Sequence, residues 1–421
     1  MVHPPAYTLV YLKLGSFLTK GSSAMPTGPL SGVRVLDLTR VVMGPLSTQI
    51  LADQGADVIL VEAQGGDTSR VMGPGPHSEL SGISLNLLRN KRSVDLDLKS
   101  PQGLDLIHRL VRTCDVVVTT MRPQVLTRLK IDYDTLAELK PDLVYCQAQG
   151  FPLASDRATE PAYDDIIQAA SGVSDMIERV WGRPALMPTI FADKVCGLVI
   201  AQAVTAALVR HARTGEGEHI EVAMQEATSA FMLTEHGSGA ISVPPVSYDG
   251  LPAAGYPRVL SPERRPHKTK DGQIHLFPYL PKHYQAIFTE VGIRDDNDKR
   301  YVDQRAALRN SDSLYRDIRK IAPLRTTDEW LEYCRDIGIP ATRVLTLQDL
   351  VDELPTATHP VAGTYRVIPA MARFGAGDFA EPRPAPLIGQ DTEDVIDELT
   401  EIEAADPVIR ARAQVAGSST S

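Results

Sequence analysis

From Val33 the chain alternates between continuous apolar strand segments and short helical segments, and this alternation restricts it to a narrow set of architectures. VRVLDL is followed by a helix over about 45–54, stopped by Gly55, and then by ADVILVE, whose unbroken apolar character suits a strand buried on both faces. A second round runs through SVDLDL (93–98), a helix over 101–112 with proline at its first position, and DVVVTT (115–120). A third adds a helix around Tyr133–Leu139 and the strand LVYCQAQG (143–150). Such repeats predict an α/β fold with a parallel, Rossmann-like sheet, and ligands on such sheets bind beyond the carboxyl ends of the strands. The loops after Leu38, Glu62, Leu98 and Val118 are therefore expected to line one site. The loop after Asp37 reads LTRVVMGPLS, with one glycine where a dinucleotide fingerprint needs three, so an NAD enzyme is disfavoured.

With 421 residues the chain exceeds one ordinary core, so a large and a smaller domain are expected. Between about 237 and 281 the texture turns to proline, glycine and basic residues, which marks a linker. DGQIHLFPYL (271–280) has the look of a hairpin strand, and helices around 283–291, 306–321 and Thr327–Ile337 follow, giving a smaller α+β domain. Strands and a last helix return from about Ala341. Residues 1–25 are expected to form a disordered extension, with Met25 a candidate functional start, and 416–421 a disordered tail. The charged content of 23% and the absence of about 18 consecutive uncharged apolar residues argue against a membrane span. A net charge of −10 argues against an extended nucleic-acid surface. Cys114, Cys146, Cys196 and Cys334 show no paired spacing, which disfavours disulfides or zinc and fits a reducing cytoplasm. The ten histidines form no helical i,i+4 pair, so no metal site is expected, and although His236 precedes Gly-Ser-Gly there is no G-x-S-x-G elbow.

A carboxylate is the nucleophile candidate that remains. Asp193 opens VCGLVIAQAVTAALV (195–209), which carries apolar residues on every face and is expected to be a helix buried on all sides. Its ordinary role there is an N-cap, worth about 1 kcal/mol. The same place serves chemistry, because a helix N-terminus favours the ionised carboxylate and apolar surroundings exclude water; position leaves both readings open. Arg89, Lys91, Arg92 and Lys99 cluster beside SVDLDL, either as a solvated face or facing the phosphates of a polyanionic ligand. Arg122 follows a strand end in a proline-stiffened loop.

The ordered segments VRVLDLTRVVMGPLSTQILADQGADVILVE, LLRNKRSVDLDLKSPQG, VVVTTMRPQVLTRL, AYDDIIQAASG, and ADKVCGL with RTGEGEHIEVAM resemble the class III coenzyme A transferase family. The resemblance is dense from residue 30 to about 235 and weaker through 336–353 and 385–399. It implies a large CoA-binding domain made of 26–235 and a returning segment at 341–415, with the linker and small domain at 236–340 between them. Two such chains interlock as a homodimer. The implied substrates are an acyl-CoA and a carboxylic acid, with no tightly bound cofactor. The resemblance assigns the covalent nucleophile to Asp193. It places CoA contacts on Val42 and Met43, on Leu96, Asp97, Leu98 and Lys99, on Thr120, Met121 and Arg122, and on Arg128, with Tyr163 and Asp164 over the pantetheine end. Thr120-Met121-Arg122-Pro123-Gln124 stands where the family often has Asn-aromatic-Arg-Pro-Gly, and the glycine-rich loop of oxalate-type members is not evident, so the resemblance does not carry over an acyl group or acceptor. The family also holds 2-methylacyl-CoA racemases, which pair the aspartate with a histidine; Tyr163 occupies the histidine position, and a phenol with an ordinary pKa of about 10 is a poor base at neutral pH. A CoA-thioester binding protein without catalysis, with Asp193 only a helix cap, is the non-enzymatic alternative.

Overall fold

In the computed structural model, residues 28–247, 250–374 and 382–405 are described; the expected extension at 1–25 and the tail at 416–421 lie outside them. The strands β1 (Arg34–Leu38), β2 (Asp57–Glu62), β3 (Lys91–Asp95), β4 (Val116–Thr119), β5 (Val144–Gln149) and β6 (Glu218–Ala223) form one sheet in the order β3-β2-β1-β4-β5-β6, every neighbouring pair parallel. The helices among them are α1 (Met43–Asp53), α2 (Gly82–Leu87), α3 (Pro101–Thr113), α4 (Pro123–Leu129), α5 (Tyr133–Leu139), α6 (Asp164–Ala170), α7 (Val173–Trp181), α8 (Phe191–Thr214) and α9 (Met224–His236). The predicted α/β class and parallel sheet are thus present. β6 escaped the sequence reading because Glu218, His219 and Glu221 interrupt the apolar run that marks the central strands. The strand expected over 93–98 ends at Asp95, which frees 96–99 as a loop before α3, where Ser100 Oγ accepts the Gly103 N–H at 3.0 Å.

Alternate residues of each strand feed two cores, as the period of two requires. On one face Val35, Val58, Val116, Val144 and Cys146 pack with Leu51 of α1 and with Cys196, Ile200 and Val204 of α8. On the other, Leu36, Ile59, Val117 and Tyr145 pack with Ile107 and Leu110 of α3 and Leu136 of α5. α8 is long and apolar enough to cross a membrane, yet half of that stretch is buried among the sheet, α1 and α9. Its burial is also not all-round as expected, since Leu198 and Val209 are 48% and 47% exposed.

The second unit has β7 (His267–Lys268), β8 (Gln273–Leu276), α10 (Pro281–Glu290), α11 (Gln304–Arg309), α12 (Ser311–Ile321), α13 (Thr327–Ile337) and β9 (Ala341–Arg343), closed over a core containing Ile274, Phe288, Leu314 and Trp330. The single helix expected over 306–321 is broken at Asn310, which ends α11 and starts α12. β9, just past the expected boundary at 341, pairs antiparallel with β8. α14 (Leu347–Asp352) and the hairpin β10 (Thr356–His359) with β11 (Gly363–Arg366) follow. α15 (Thr392–Ala405) then lies against the large sheet: Val395 and Leu399 enter the core that holds α3, and Glu398 pairs with Arg34 at 2.7 Å and with Arg92 at 2.5 Å.

Two ion pairs sit inside the sheet's carboxyl edge. Lys91 Nζ, fully buried, donates to Asp37 Oδ2 and Pro45 O, both at 3.0 Å, and to Thr48 Oγ1 at 2.7 Å. Asp37 Oδ1 accepts the Thr39 N–H and hydroxyl. Beside it Arg70 Nε donates to Glu62 Oε1 at 2.6 Å. Burial works to raise the Glu62 pKa, but Arg70, the Ser93 hydroxyl and the Asp67 N–H together hold it below the usual carboxylate range. Every oxygen of both acids is partnered, which is the condition for burying charge. Lys91→Met strands the Asp37 carboxylate and is expected to lower stability by about 3–5 kcal/mol in urea titrations at neutral pH; a loss under about 1 kcal/mol rejects this account.

Candidate active site

Beyond the carboxyl ends of the strands lies a cavity of about 570 Å³. Its walls are the loops the alternation pointed to: Arg40, Val41 and Met43 after β1, Ala63 after β2, 96–99 after β3, 120–122 after β4 and 161–163 after β5, with Arg128 of α4, Asp193 of α8 and Met224 of α9. Of the expected site residues, Met43, Leu96, Asp97, Leu98, Lys99, Thr120, Met121, Arg122, Arg128, Tyr163 and Asp193 line it. Val42 and Asp164 do not. Val42 is buried as the residue before α1, and Asp164 is buried with both carboxylate oxygens in bonds described below. Arg40 and Val41 were legible as part of the loop after Leu38, whereas Met224 follows the strand that the sequence reading missed.

The basic cluster divides in two. Arg89 pairs with Asp53 at 2.6 Å, Lys91 with Asp37, and Arg92 with Asp57 and Glu398, so these three hold the fold and none reaches the cavity. Of the two readings offered for the cluster, a solvated face or a contact with a ligand's phosphates, neither holds for these three: they stand on or before β3, where carboxylates of α1, β1, β2 and α15 already satisfy them. Lys99, on the loop beyond β3, does line the cavity together with Arg40, Arg122 and Arg128, and none of these four is in an ion pair among the described residues. Helix N-termini converge there too. Met43 begins α1, Arg122 precedes α4, Tyr163 precedes α6 and Met224 begins α9. Cations without ion-pair partners and the positive ends of these helices together suit a phosphate-bearing ligand.

The loop that brings Met43 to the site is strained. Val41 is β-branched yet has φ of 71°, in the left-handed region that glycine usually occupies, at a cost on the order of 1–3 kcal/mol. Asp67 holds it there by accepting the Val41 N–H at 3.2 Å, and Glu62 Oε1 in turn accepts the Asp67 N–H at 2.9 Å. Close approach of backbones finishes the arrangement. A Cβ on Gly197 of α8 would stand 2.9 Å from Met43 O, so only glycine lets the two helices meet this closely.

Asp193 is the third residue of α8, and Ile190 rather than Asp193 starts the helix without any side-chain cap. The N-cap reading of this residue is therefore corrected. Its carboxylate accepts the Met43 N–H at the start of α1, and its own N–H donates to Asp164 Oδ1 at 3.1 Å. With 8% of its surface exposed, Asp193 has its pKa raised to about 6, first by burial and then by the neighbouring Asp164 charge, against the lowering effect of the Met43 N–H. It is therefore mostly ionised at neutral pH while poorly hydrated, the condition of a reactive carboxylate. The cysteines do not compete: Cys196, one turn on, is buried with its thiol pushed up to about 12 by burial. Among the described residues no group of three or more His, Cys, Asp or Glu is placed to hold a metal ion.

A raised carboxylate pKa means that the folded protein binds a proton more readily than the unfolded chain, so ionised Asp193 costs stability above pH 6, and the cost vanishes below about pH 4. Asp193→Asn keeps an acceptor for the Met43 N–H and removes the charge. It is expected to stabilise the protein by about 3 kcal/mol at pH 7.5 and by almost nothing at pH 4. Paired thermal melts at the two pH values check it, and equal melting temperatures at pH 7.5 reject it.

Residues 30–392 match the model of CoA-transferase family III. The chain is 31% identical over 397 residues to a succinate–glutarate CoA-transferase of Agrobacterium fabrum, covering 89% of this chain and 96% of that protein. It is equally 31% identical over 382 residues to a probable fatty acyl-CoA transferase of Mycobacterium tuberculosis, covering 87% and 96%. Among solved structures, a CaiB/BaiF family protein from Brucella suis superposes with a TM-score of 0.72 at 26% identity, covering 88% of this chain and 99% of that one. The chain belongs to CoA-transferase family III and is an enzyme of that class, with CoA thioesters as substrates.

Proposed function

We propose that the protein moves coenzyme A from an acyl-CoA donor to a carboxylic acid acceptor through covalent intermediates on Asp193. The observation that carries this reading is a buried, ionisable carboxylate in the wall of a cavity whose other walls hold four cations with no ion pair among the described residues. Lys99, Arg122, Arg128 and Arg40 take the phosphates, and the thioester reaches Asp193 past Met43, Met121 and Met224, whose side chains fill an irregular channel without charge. An Asp193 oxygen attacks the thioester carbonyl, the C–S bond breaks, and a mixed anhydride and CoA thiolate result. The thiolate attacks the Asp193 carbonyl, the anhydride C–O bond breaks, and the donor acid leaves an aspartyl thioester. The acceptor carboxylate displaces the thiolate to form a second anhydride, and the thiolate attacks its acyl carbon to release the new acyl-CoA and the Asp193 carboxylate. Each step exchanges one activated acyl group for another, so no step needs water, and water exclusion protects all of them.

Support for group transfer over proton exchange at an α-carbon comes from the cavity wall, where the described residues include no histidine and the exposed phenol of Tyr163 stands. We also infer that two copies interlock. The apolar side chains of Leu198 on α8, Phe231 and Leu233 on α9, and Leu347 and Leu350 on α14 are all about half exposed or more in the single chain, an extent of bare apolar surface that a partner copy would cover. Light scattering after size exclusion is expected to read twice the 45.8 kDa of the chain, and a reading at the single-chain mass rejects the interlocked pair.

Incubation with acyl-CoA followed by hydroxylamine or borohydride is expected to leave a modified Asp193 in peptide mass spectra, and Asp193→Ala to lose CoA transfer by at least about a thousandfold. An unmodified Asp193, with turnover intact in Asp193→Ala, rejects the mechanism.

A further inference from the structure

Asp164 stands beside the nucleophile without facing the ligand. Its Oδ1 accepts the Asp193 N–H at 3.1 Å and its Oδ2 accepts Gln168 Nε2 at 2.6 Å. Gln168, fully buried one turn along α6, accepts the Met187 N–H at 2.7 Å through its Oε1, so it ties α6 to the chain that enters α8. Both oxygens of Asp164 are thus committed to protein donors, and neither is offered to the cavity.

From this placement we propose that Asp164 is a positioning residue for acyl transfer: it anchors the first turn of α8 and sets a second negative charge against the Asp193 carboxylate, a repulsion that acylation of Asp193 releases. This rests on the covalent reading above. In the free enzyme two carboxylates share a poorly hydrated corner; in the anhydride or thioester Asp193 is neutral, and only Asp164 remains charged. The repulsion therefore raises the free energy of the resting carboxylate relative to the acylated one and favours the first attack on the thioester, whereas a single buried carboxylate would be held back by its Met43 N–H bond.

The other groups around Asp193 are accounted for. α1 meets it with the Met43 N–H, and α9 faces it with Met224, while Glu226 of α9 is exposed. On α8 itself, Lys194 Nζ donates to Thr189 Oγ1 at 2.7 Å and the Cys196 thiol is neutral. Arg40 and Tyr163 stand in the cavity wall. Asp164 is thus the anion set against Asp193 by burial, and it also contributes to the raised pKa of Cys196 after burial and Asp193.

The test is the pH dependence of kcat/KM in Asp164→Asn, which keeps an oxygen for the Asp193 N–H and removes the charge. The acid limb of the parent enzyme is expected near pH 6. In Asp164→Asn it is expected about one pH unit lower, with kcat at pH 7.5 down about tenfold, KM for acyl-CoA within about twofold of the parent, and less Asp193 adduct trapped at steady state. Because the new amide nitrogen opposes Gln168 Nε2, the double variant Asp164→Asn with Gln168→Glu is measured alongside. It restores a donor–acceptor pair, moves the charge one helical turn away, and is expected to show an acid limb between those of the parent and the single variant. An acid limb at the parent's pH in both variants, or a KM raised tenfold with kcat unchanged, overturns the positioning role and returns Asp164 to ligand binding. That outcome leaves the covalent reading standing if Asp193 is still labelled; absence of label in the parent enzyme overturns the covalent reading itself.

Discussion

Burial of the Asp37–Lys91 pair is the constraint on which the site depends. Asp37 is the next-to-last residue of β1 and Lys91 the first of the edge strand β3, so the pair reaches across β2 and ties the end of β1 to the start of β3 beneath α1. Because neither charge meets water, each must satisfy its valence within the protein, and it does so with Thr39, Thr48 and Pro45 O from the loop and first turn that follow β1. The Glu62–Arg70 pair performs the same service one strand over and reaches the loop through Asp67. The left-handed Val41 and the placement of the Met43 N–H against Asp193 rest on this double anchoring; without it a β-branched residue at that φ would relax and turn the α1 N-terminus away from Asp193.

Charge is distributed by a simple division of labour. Cations on strands or their entries are consumed by carboxylates, as at Arg89, Lys91 and Arg92, and stiffen the sheet edge. Arg40, Lys99 and Arg122 on the loops beyond the strands and Arg128 on α4 form no ion pair among the described residues and line the cavity. In a chain with net charge −10, leaving these four without acidic partners concentrates positive potential at one place on an otherwise negative molecule, which favours capture of a polyanion by steering as well as by contact.

The sheet, its two helical layers and the four lining loops were legible because a parallel strand is buried on both faces and so writes an unbroken apolar run into the sequence. β6 was not, since an edge strand has one neighbour and tolerates Glu218, His219 and Glu221. Helix breaks such as Asn310 also escape periodicity, because α11 and α12 keep compatible apolar spacing across the break. At the site, Asp193 was legible as the lone carboxylate opening an apolar helix, and the family pattern named its role. What the pattern could not supply was the side of each neighbour: Val42 and Asp164 fall within the right segments, yet tertiary contacts with α1 and α8 turn both away from the cavity. Likewise a run of basic residues does not reveal which of them a distant Asp53, Asp57 or Glu398 will neutralise.

Reactivity and stability oppose one another at Asp193. A carboxylate with a pKa near 6 remains an anion at neutral pH, but it is held in that state against a desolvation cost that one backbone N–H does not fully offset. A site with more donors would stabilise the anion and blunt the nucleophile; a site with none would protonate it. Met43 supplies one donor because Gly197 lets α1 approach α8 closely enough for its first N–H to reach, and the strained loop keeps that N–H aimed. The fully satisfied ion pairs, where every acid oxygen has its donor, contribute the rigidity of the loop that leads into α1 and so allow an under-satisfied carboxylate to persist against the Met43 N–H.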